Sequence, residues 1–401
     1  MKNMIMLYES VMSTVELVGN TMKGFCEKYG GSFRETDIRT ITERDIERAD
    51  VILCVRGESP LMLGCLRYAK SKGKKRIFFL DDDLKDMPKG SFRYPERTKW
   101  LVKCMAQCEV LLTTNQLIAD EYQDYMEEKR TAVVNIDVDE EEINDVSIED
   151  DDNHIKIVYA AGERHIVFFE KYVRPVMDTL YDKYDERLEF YFIGLKPDFS
   201  GKKYRKQIHC IPGMSYGQYA EYMKKTRFDI GLAPLESNHF TERKYFNKFL
   251  EYAKNGTCGI YSKCMPYQLV VDDGTNGYLA DNDPADWYKT ICRAIENREE
   301  RITCIKNSQA YIRQYHNKEV IYQNLAEDIP ELLNYTHYDR KKYGNQGKIQ
   351  YRFRHKIFRV IERIYLTMFS LFHYGFRYTL KRICNKMNVG VIISRFRKMR
   401  G

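Results

Sequence analysis

Short apolar runs recur along the first 135 positions, each followed by a stretch whose apolar residues fall three and four apart. MIMLY (4–8) leads into an amphipathic stretch ending near Tyr29, and DVILCVR (50–56) into PLMLGCLRYAKSKG. RIFFL (76–80) precedes ERTKWLVKCMAQ, EVLLTT (109–114) precedes NQLIADEYQDYMEE, and TAVVN (131–135) closes the series. Continuous apolar strands separated by helices predict a parallel sheet covered on both faces. After an acidic, aperiodic stretch the alternation restarts with IKIVYAAG (155–162), LEFYFIG (188–194), QIHCIPG (207–213), FDIGLAPL (228–235) and TCGIYS (257–262), again with helical patterns between them. The expectation is an α/β chain of two doubly wound, Rossmann-like halves. Ligands in such sheets lie beyond the carboxyl ends of the strands, so both halves would face one cleft.

The expected boundaries are 1–137 for the first half and 138–154 for a solvated acidic linker. The second half then covers 155–317, a crossover helix 318–336 returns to the first half, and a tail fills 337–401. Charge sharpens this division. The chain carries +7 overall, with 65 Lys and Arg against 58 Asp and Glu. The tail alone holds 17 Lys and Arg against Asp339 and Glu362, which is +15 and leaves −8 for the preceding residues. The tail interleaves these cations with Phe, Ile and Leu. Its uncharged stretch between Arg363 and Arg377 is 13 residues, about 20 Å as a helix and too short to span a bilayer. A basic amphipathic helical segment of this kind fits an anionic membrane interface; packing on the body is the alternative, and no nucleic-acid module accompanies it. The N-terminus reads as a first strand and helix, not a signal peptide. Eleven scattered cysteines, none in a Cys-x-x-Cys pair, read as reduced, buried thiols.

The most specific stretch is FDIGLAPLESNHFTERKYFNKFLEYAKNGTCGIYSKCMPYQLVVDDGTNGYLADNDPADWYKTI (228–291). Within it Lys244, Lys248 and Glu251 are spaced four and three apart and share one helical face. A nucleoside diphosphate needs such a set: a carboxylate for the ribose hydroxyls, and cations and helix N-terminal N–H groups for the phosphates. This stretch resembles the C-terminal half of the GT-B glycosyltransferases, in particular the large retaining nucleotide-sugar-dependent family (glycosyltransferase group 1, family 4-like). The likeness extends more weakly over roughly 4–333.

The resemblance implies a nucleotide-sugar donor site. Glu251 would hold the ribose, and Lys248 or Lys244 the diphosphate, with Asn247 beside them. Gly162, Arg164 and His165 would form the first loop of the donor half. Lys248, Arg164 and His165 are the expected catalytic contributors, stabilising the departing diphosphate. Retention needs no protein nucleophile, whereas an inverting enzyme would need a base, for which Asp82 or Asp83 would serve. The family has a second Glu eight residues before the ribose Glu; here that position is Arg243, with Glu242 beside it. The Lys usually found about five residues after the Arg164 position is absent, with Lys171 beyond it, and the first loop offers ESVMST (9–14) instead of a double glycine.

The run IFFLDDDL (77–84) places Asp81, Asp82 and Asp83 directly after a strand. Three readings stand: a divalent-metal motif of the other nucleotide-sugar fold (GT-A), an acceptor-side site together with Arg56 and Glu58, or a solvated loop. The expectation is an acceptor-side role with no metal and no cofactor beyond the donor. The expected function is transfer of a sugar to a glycan or lipid-linked acceptor in surface polysaccharide assembly, on the cytoplasmic side and peripherally membrane-bound. The alternatives are a GT-A-like metal-dependent transferase and a catalytically silent nucleotide-sugar or membrane-binding scaffold.

Overall fold

The computed structural model describes residues 3–10, 13–85, 97–144 and 154–333, together with helical positions between 348 and 372. The first half runs β1 (Asn3–Tyr8), α1 (Ser13–Lys28), β2 (Ser32–Asp37), α2 (Glu43–Arg48), β3 (Val51–Val55), α3 (Pro60–Ser71), β4 (Lys75–Leu80), α4 (Arg97–Met105), β5 (Val110–Thr113), α5 (Gln116–Tyr122) and β6 (Arg130–Val133). The second runs β7 (Ile155–Ala160), α6 (Ile166–Tyr172), α7 (Met177–Tyr184), β8 (Leu188–Ile193), β9 (Ile208–Ile211), α8 (Tyr216–Thr226), β10 (Ile230–Ala233), α9 (His239–Glu242), α10 (Asn247–Lys254), β11 (Cys258–Ser262), β12 (Tyr278–Ala280), α11 (Pro284–Glu296) and α12 (Arg298–Tyr315). Then α13 (Lys318–Asp328) crosses back.

Each half is a six-stranded parallel sheet, ordered β2-β1-β3-β4-β5-β6 and β12-β11-β10-β7-β8-β9. The central strands are largely apolar because helices cover both faces: every residue of β3, β5, β10 and β11 is buried, with Thr113 and Ser262 polar at two strand ends. The strand order reverses between β1 and β3, and again between β7 and β10, and those two switch points put their carboxyl ends toward each other. The periodicity above did not find β2. As an edge strand, with one neighbour and mostly exposed side chains, it has the polar sequence SFRETD.

The chain crosses between halves twice, and the crossings touch. Outbound, the Ile136 N–H donates to the Tyr245 hydroxyl at 3.1 Å. Inbound, the neutral His316 ring donates from Nδ1 to the Ile136 carbonyl at 2.9 Å, while the Val138 N–H donates to the His316 carbonyl at 2.8 Å. Beyond this point α13 lays Ile321, Tyr322 and Leu325 into the core beneath β1 and β5. Gly24 of α1 makes room for it: a Cβ there would stand 1.9 Å from the Tyr322 hydroxyl.

The acidic linker keeps its described carboxylates at the surface, where several of them pair with the second half and the start of α13. Among its described residues, Glu142 pairs with Lys254 at 2.8 Å, Glu140 with Arg313 at 2.7 Å and Asp139 with Lys318 at 2.5 Å, while Val138 and Ile143 rest on the core of the second half. Residues 145–153 lie outside the described residues, as does most of the 337–401 tail. Where described, the tail is helical and its first turn docks on the first half. Tyr351 stacks on Tyr68 with ring centres 4.6 Å apart, and Lys348 pairs with Glu47 at 3.0 Å. No helix among the described residues is long and apolar enough to cross a membrane.

Burial pushes His316 down from 6.5 to about 4. The unfolded ring therefore binds a proton between pH 6.5 and 4 that the folded ring refuses. Its contribution is complete above pH 6.5 and is lost as pH falls toward 4, at about 1.4 kcal/mol per pH unit. Urea unfolding at pH 6.5 and 4.5 should show the acid-induced loss shrinking by about 2–3 kcal/mol in His316→Gln relative to the unmodified chain.

Candidate functional site

The cleft between the two carboxyl edges brings together side chains from five loops. On the first half, Arg56 follows β3 with φ of 48°, a left-handed backbone unusual for a residue with a side chain. Two carboxylates hold it there: Asp81 accepts from Nε at 2.5 Å and Asp82 from Nη2 at 2.6 Å. Asp81 also accepts from the Thr14 hydroxyl at 2.6 Å, tying the start of α1 to the same point. Asp82 reaches across the cleft to Lys244 at 3.6 Å. Burial opposes its charge, yet Arg56 and Lys244 together hold its carboxyl below the usual range.

Asp83 does something different. It is fully buried and accepts from the Tyr122 hydroxyl and from the Lys85 N–H at 3.1 Å, and its other oxygen meets His239 Nδ1 at 3.1 Å. Glu121 of α5 completes this corner. It accepts from Arg243 Nε at 2.8 Å and sits 3.0 Å from Lys85 Nζ and 3.4 Å from His239 Nε2. Asn115 adds a neutral staple: while capping α5, its amide donates to the carbonyls of Glu242 and Lys244 at 3.2 and 3.1 Å. The three aspartates thus form neither a free loop nor an open acidic patch. Asp81 fastens Arg56 and Thr14 within the first half, and Asp82 and Asp83 join the halves.

On the second half, Glu251 and Lys248 of α10 form an ion pair, and the Tyr219 hydroxyl of α8 donates to Glu251 at 2.8 Å. Lys248 also donates to the Tyr219 oxygen at 3.2 Å. No side chain caps the first turn of α10, so its leading N–H groups face the cleft beside Asn247. His165, in the turn after β7, is held neutral, down to about 4, by burial and then by Lys244 and Lys248. Gly162 in the same turn has nothing within 4 Å of where a Cβ would sit. Arg164 is exposed there. Glu242 accepts from the Ser237 hydroxyl at 2.5 Å, next to the Arg243 clasp.

Two hollows meet at Asn247. The larger, about 900 Å³, is bounded by Tyr216, Leu250 and Glu251 on one side and by α1 on the other. The smaller, about 230 Å³, lies between Lys244 and the Arg56–Asp81–Asp82 group. Of the expected site residues, Glu251, Lys248, Lys244, Asn247, His165, Arg56, Asp81 and Asp82 therefore share one neighbourhood. Arg243 and Asp83 sit in the interdomain clasp. Glu58 is instead buried against Arg97 and donates its N–H to Glu9 at 3.1 Å. Tyr219, Asn115, Glu121 and Thr14 were not anticipated. Only Asn115 left a local signal, as a helix cap.

Asp83, Glu121 and His239 carry metal-ligand atoms within 4.8 Å of one another. Arg243 and Lys85 already bind these carboxylates, so a divalent cation would enter against two like charges.

No protein-family model matches the sequence, and no curated protein matches it. Solved structures do match. Anabaena Alr3699/HepE in complex with UDP and glucose aligns over 82% of this chain and 100% of its own, with a TM-score of 0.61 and 12% identity. A glycosyltransferase from Rickettsia africae aligns over 83% and 99%, with a TM-score of 0.58 and 11% identity. The E. coli trehalose-6-phosphate structure bound with UDP-2-fluoro glucose aligns over 81% and 98%, with a TM-score of 0.54 and 10% identity.

The clasp yields a measurable coupling. Arg243→Ala should destabilise the chain by about 1–3 kcal/mol in urea, because Glu121 and Asp83 lose a guanidinium at a largely buried site. Once Glu121→Gln is present the same substitution should cost about 1 kcal/mol less, and additive costs in the double-mutant cycle would show that the pair does not couple.

Proposed function

The chain has the GT-B fold, and from that premise we propose that it is a glycosyltransferase moving a sugar from a nucleoside-diphosphate donor to a glycan or lipid-linked acceptor in surface polysaccharide assembly. The observation that carries this reading is the Glu251–Lys248–Tyr219 group beside the uncapped first turn of α10, opening on the larger hollow. In it Glu251 accepts from the ribose hydroxyls. Asn247, the α10 N–H groups, Lys248 and Lys244 take the diphosphate. The sugar then lies toward the smaller hollow, where Arg56 and Asp82 orient the acceptor hydroxyl.

As the glycosidic bond to the diphosphate breaks, negative charge grows on the leaving oxygen. Lys244, Lys248 and Arg164 stabilise that charge, and neutral His165 donates a hydrogen bond without adding a cation. Retaining transfer without a metal is the mechanism these groups suit. UDP is the first nucleotide to test, since HepE and the E. coli structure above hold UDP or a UDP-sugar. The basic 337–401 segment places the enzyme on an anionic membrane surface, on the cytoplasmic side.

The GT-A-like metal-dependent alternative gives way to the two-sheet fold. The silent-scaffold alternative keeps one observation in its favour: Arg243, where the resemblance has a donor-sugar Glu, is engaged by Glu121.

The test is thermal denaturation with UDP, GDP, ADP and CMP and their common sugars, each with chelator or Mn²⁺. One diphosphate at 100 times its Kd should raise the Tm by roughly 3 °C, with or without chelator, and Glu251→Ala should abolish the shift. Slow hydrolysis of the matching sugar donor should accompany it. Tight nucleotide binding with no hydrolysis would instead favour the scaffold, and stabilisation that needs Mn²⁺ would overturn the metal-free reading.

A further inference from the structure

Away from the cleft, on the outer face of the first half, a groove of about 360 Å³ runs between α3, α4 and the docked first turn of the tail. Its walls are apolar and aromatic: Leu61 and Leu63 from α3, Trp100 from α4, and Phe358 from the tail. Arg67 and Lys103 stand exposed at its rim, neither of them ion-paired among the described residues. Lys103 lies 5.0 Å from the Trp100 ring centre. His355 lines the same groove. It is 8% exposed, and neither of its ring nitrogens has a hydrogen-bond partner among the described residues. Burial, and then Arg359, push it down to about 4, so it presents a neutral ring with one N–H to give. A buried polar group left without a partner points to one that arrives from outside.

The tail helix carries the same chemistry onward. Val360, Ile361, Ile364 and Met368 each expose more than half of their surface, and Phe372 exposes 77%. With Ile357 and Leu371 they recur at three- and four-residue spacings, covering about a third of the helix circumference. Tyr351, His355 and Phe358, which face the first half, lie on another side of the helix. The described helical positions that carry the exposed stripe therefore follow those that line the groove, where Tyr351 stacks on Tyr68.

We infer that this outer face of the first half, with the groove at its centre, is the surface that seats the protein on a bilayer, and that the groove holds an anionic phospholipid. The lipid phosphate lies between Arg67, Lys103 and the His355 N–H, with the start of an acyl chain against Trp100 and Phe358. Charge complementarity selects this occupant: the rim is cationic, the tail carries +15, and the exposed stripe is apolar. RNA would use the cations but leave seven exposed apolar side chains without a partner. The inference rests on the membrane-surface reading of the tail and adds a built lipid site in the globular body.

The two tryptophans make this testable in the intact chain, because Trp287 is fully buried and Trp100 lines the groove. Vesicles of phosphatidylcholine with 30% phosphatidylglycerol should blue-shift the Trp emission and pellet the protein. Pure phosphatidylcholine vesicles and millimolar inorganic phosphate should do neither, and Trp100→Phe should abolish the shift. The double variant Arg67→Gln/Lys103→Gln should bind those anionic vesicles about 30-fold more weakly, at roughly fivefold per cation, with its nucleotide-induced Tm shift unchanged. If the protein pellets with anionic vesicles while Trp100 stays unmoved, or the double variant binds as well as the unmodified chain, the tail binds alone and the groove is no lipid site. No pelleting with any vesicle overturns the tail reading as well, and tighter binding to RNA than to vesicles replaces the lipid with a nucleic acid.

Discussion

Opposite charges facing each other across one cleft govern the arrangement of the whole molecule. The carboxyl edge of the first sheet ends in Asp81, Asp82 and Asp83, and the second half answers with His239, Arg243 and Lys244. Asp83, fully buried, would not tolerate that depth without partners, since an unpaired buried charge costs several kcal/mol. The first half is thus incomplete electrostatically until the second is in place. Within the first half, Arg56 is bound by both Asp81 and Asp82 while its backbone holds a left-handed conformation. Lys244 stands where the demands meet. Under the proposed function, a diphosphate beside α10 would offer it a second anion in place of Asp82, exchanging one ion pair for another without stranding a cation.

The two-sheet architecture was legible because parallel strands buried on both faces have to be largely apolar, and β3, the 77–80 run of β4, β5, β10 and β11 are. The edge strand β2 escaped notice for the converse reason. The Lys244, Lys248 and Glu251 set could be read because a helix turns spacings of three and four into proximity. Tyr219, which donates to Glu251, comes from 32 positions earlier on another helix, and no local rule connects the two. The Arg243–Glu121 clasp spans 122 positions and both halves. Its partners could be assigned only once the sheets faced each other. The aspartate run was legible as a strand-end feature, but its division into an Arg56 clamp, a bridge to Lys244 and a buried corner was not. The acidic linker showed its exposed charge in the sequence but not its partners: Glu142, Glu140 and Asp139 pair with cations on α10, α12 and the start of α13.

Two kinds of surface therefore sit on the first half at right places for a division of labour. Its strand ends meet the cations of the second half, while its α3–α4 face carries aromatic rings, exposed cations and the docked start of the tail. Separation of these faces keeps the cleft free of the lipid chemistry proposed for the outside.

The paired crossings between the halves have a mechanical consequence. A single flexible connection would leave two bodies free to twist, slide and rotate about it. Here the outbound chain near Ile136 and the inbound chain near His316 are bonded to each other in both directions. Two adjacent, mutually fixed pivots remove torsion and translation and leave one soft coordinate, a rotation about the line through them. Any opening of the cleft that keeps both crossings would therefore be a swing that separates Asp82 from Lys244 and Glu121 from Arg243 along one arc.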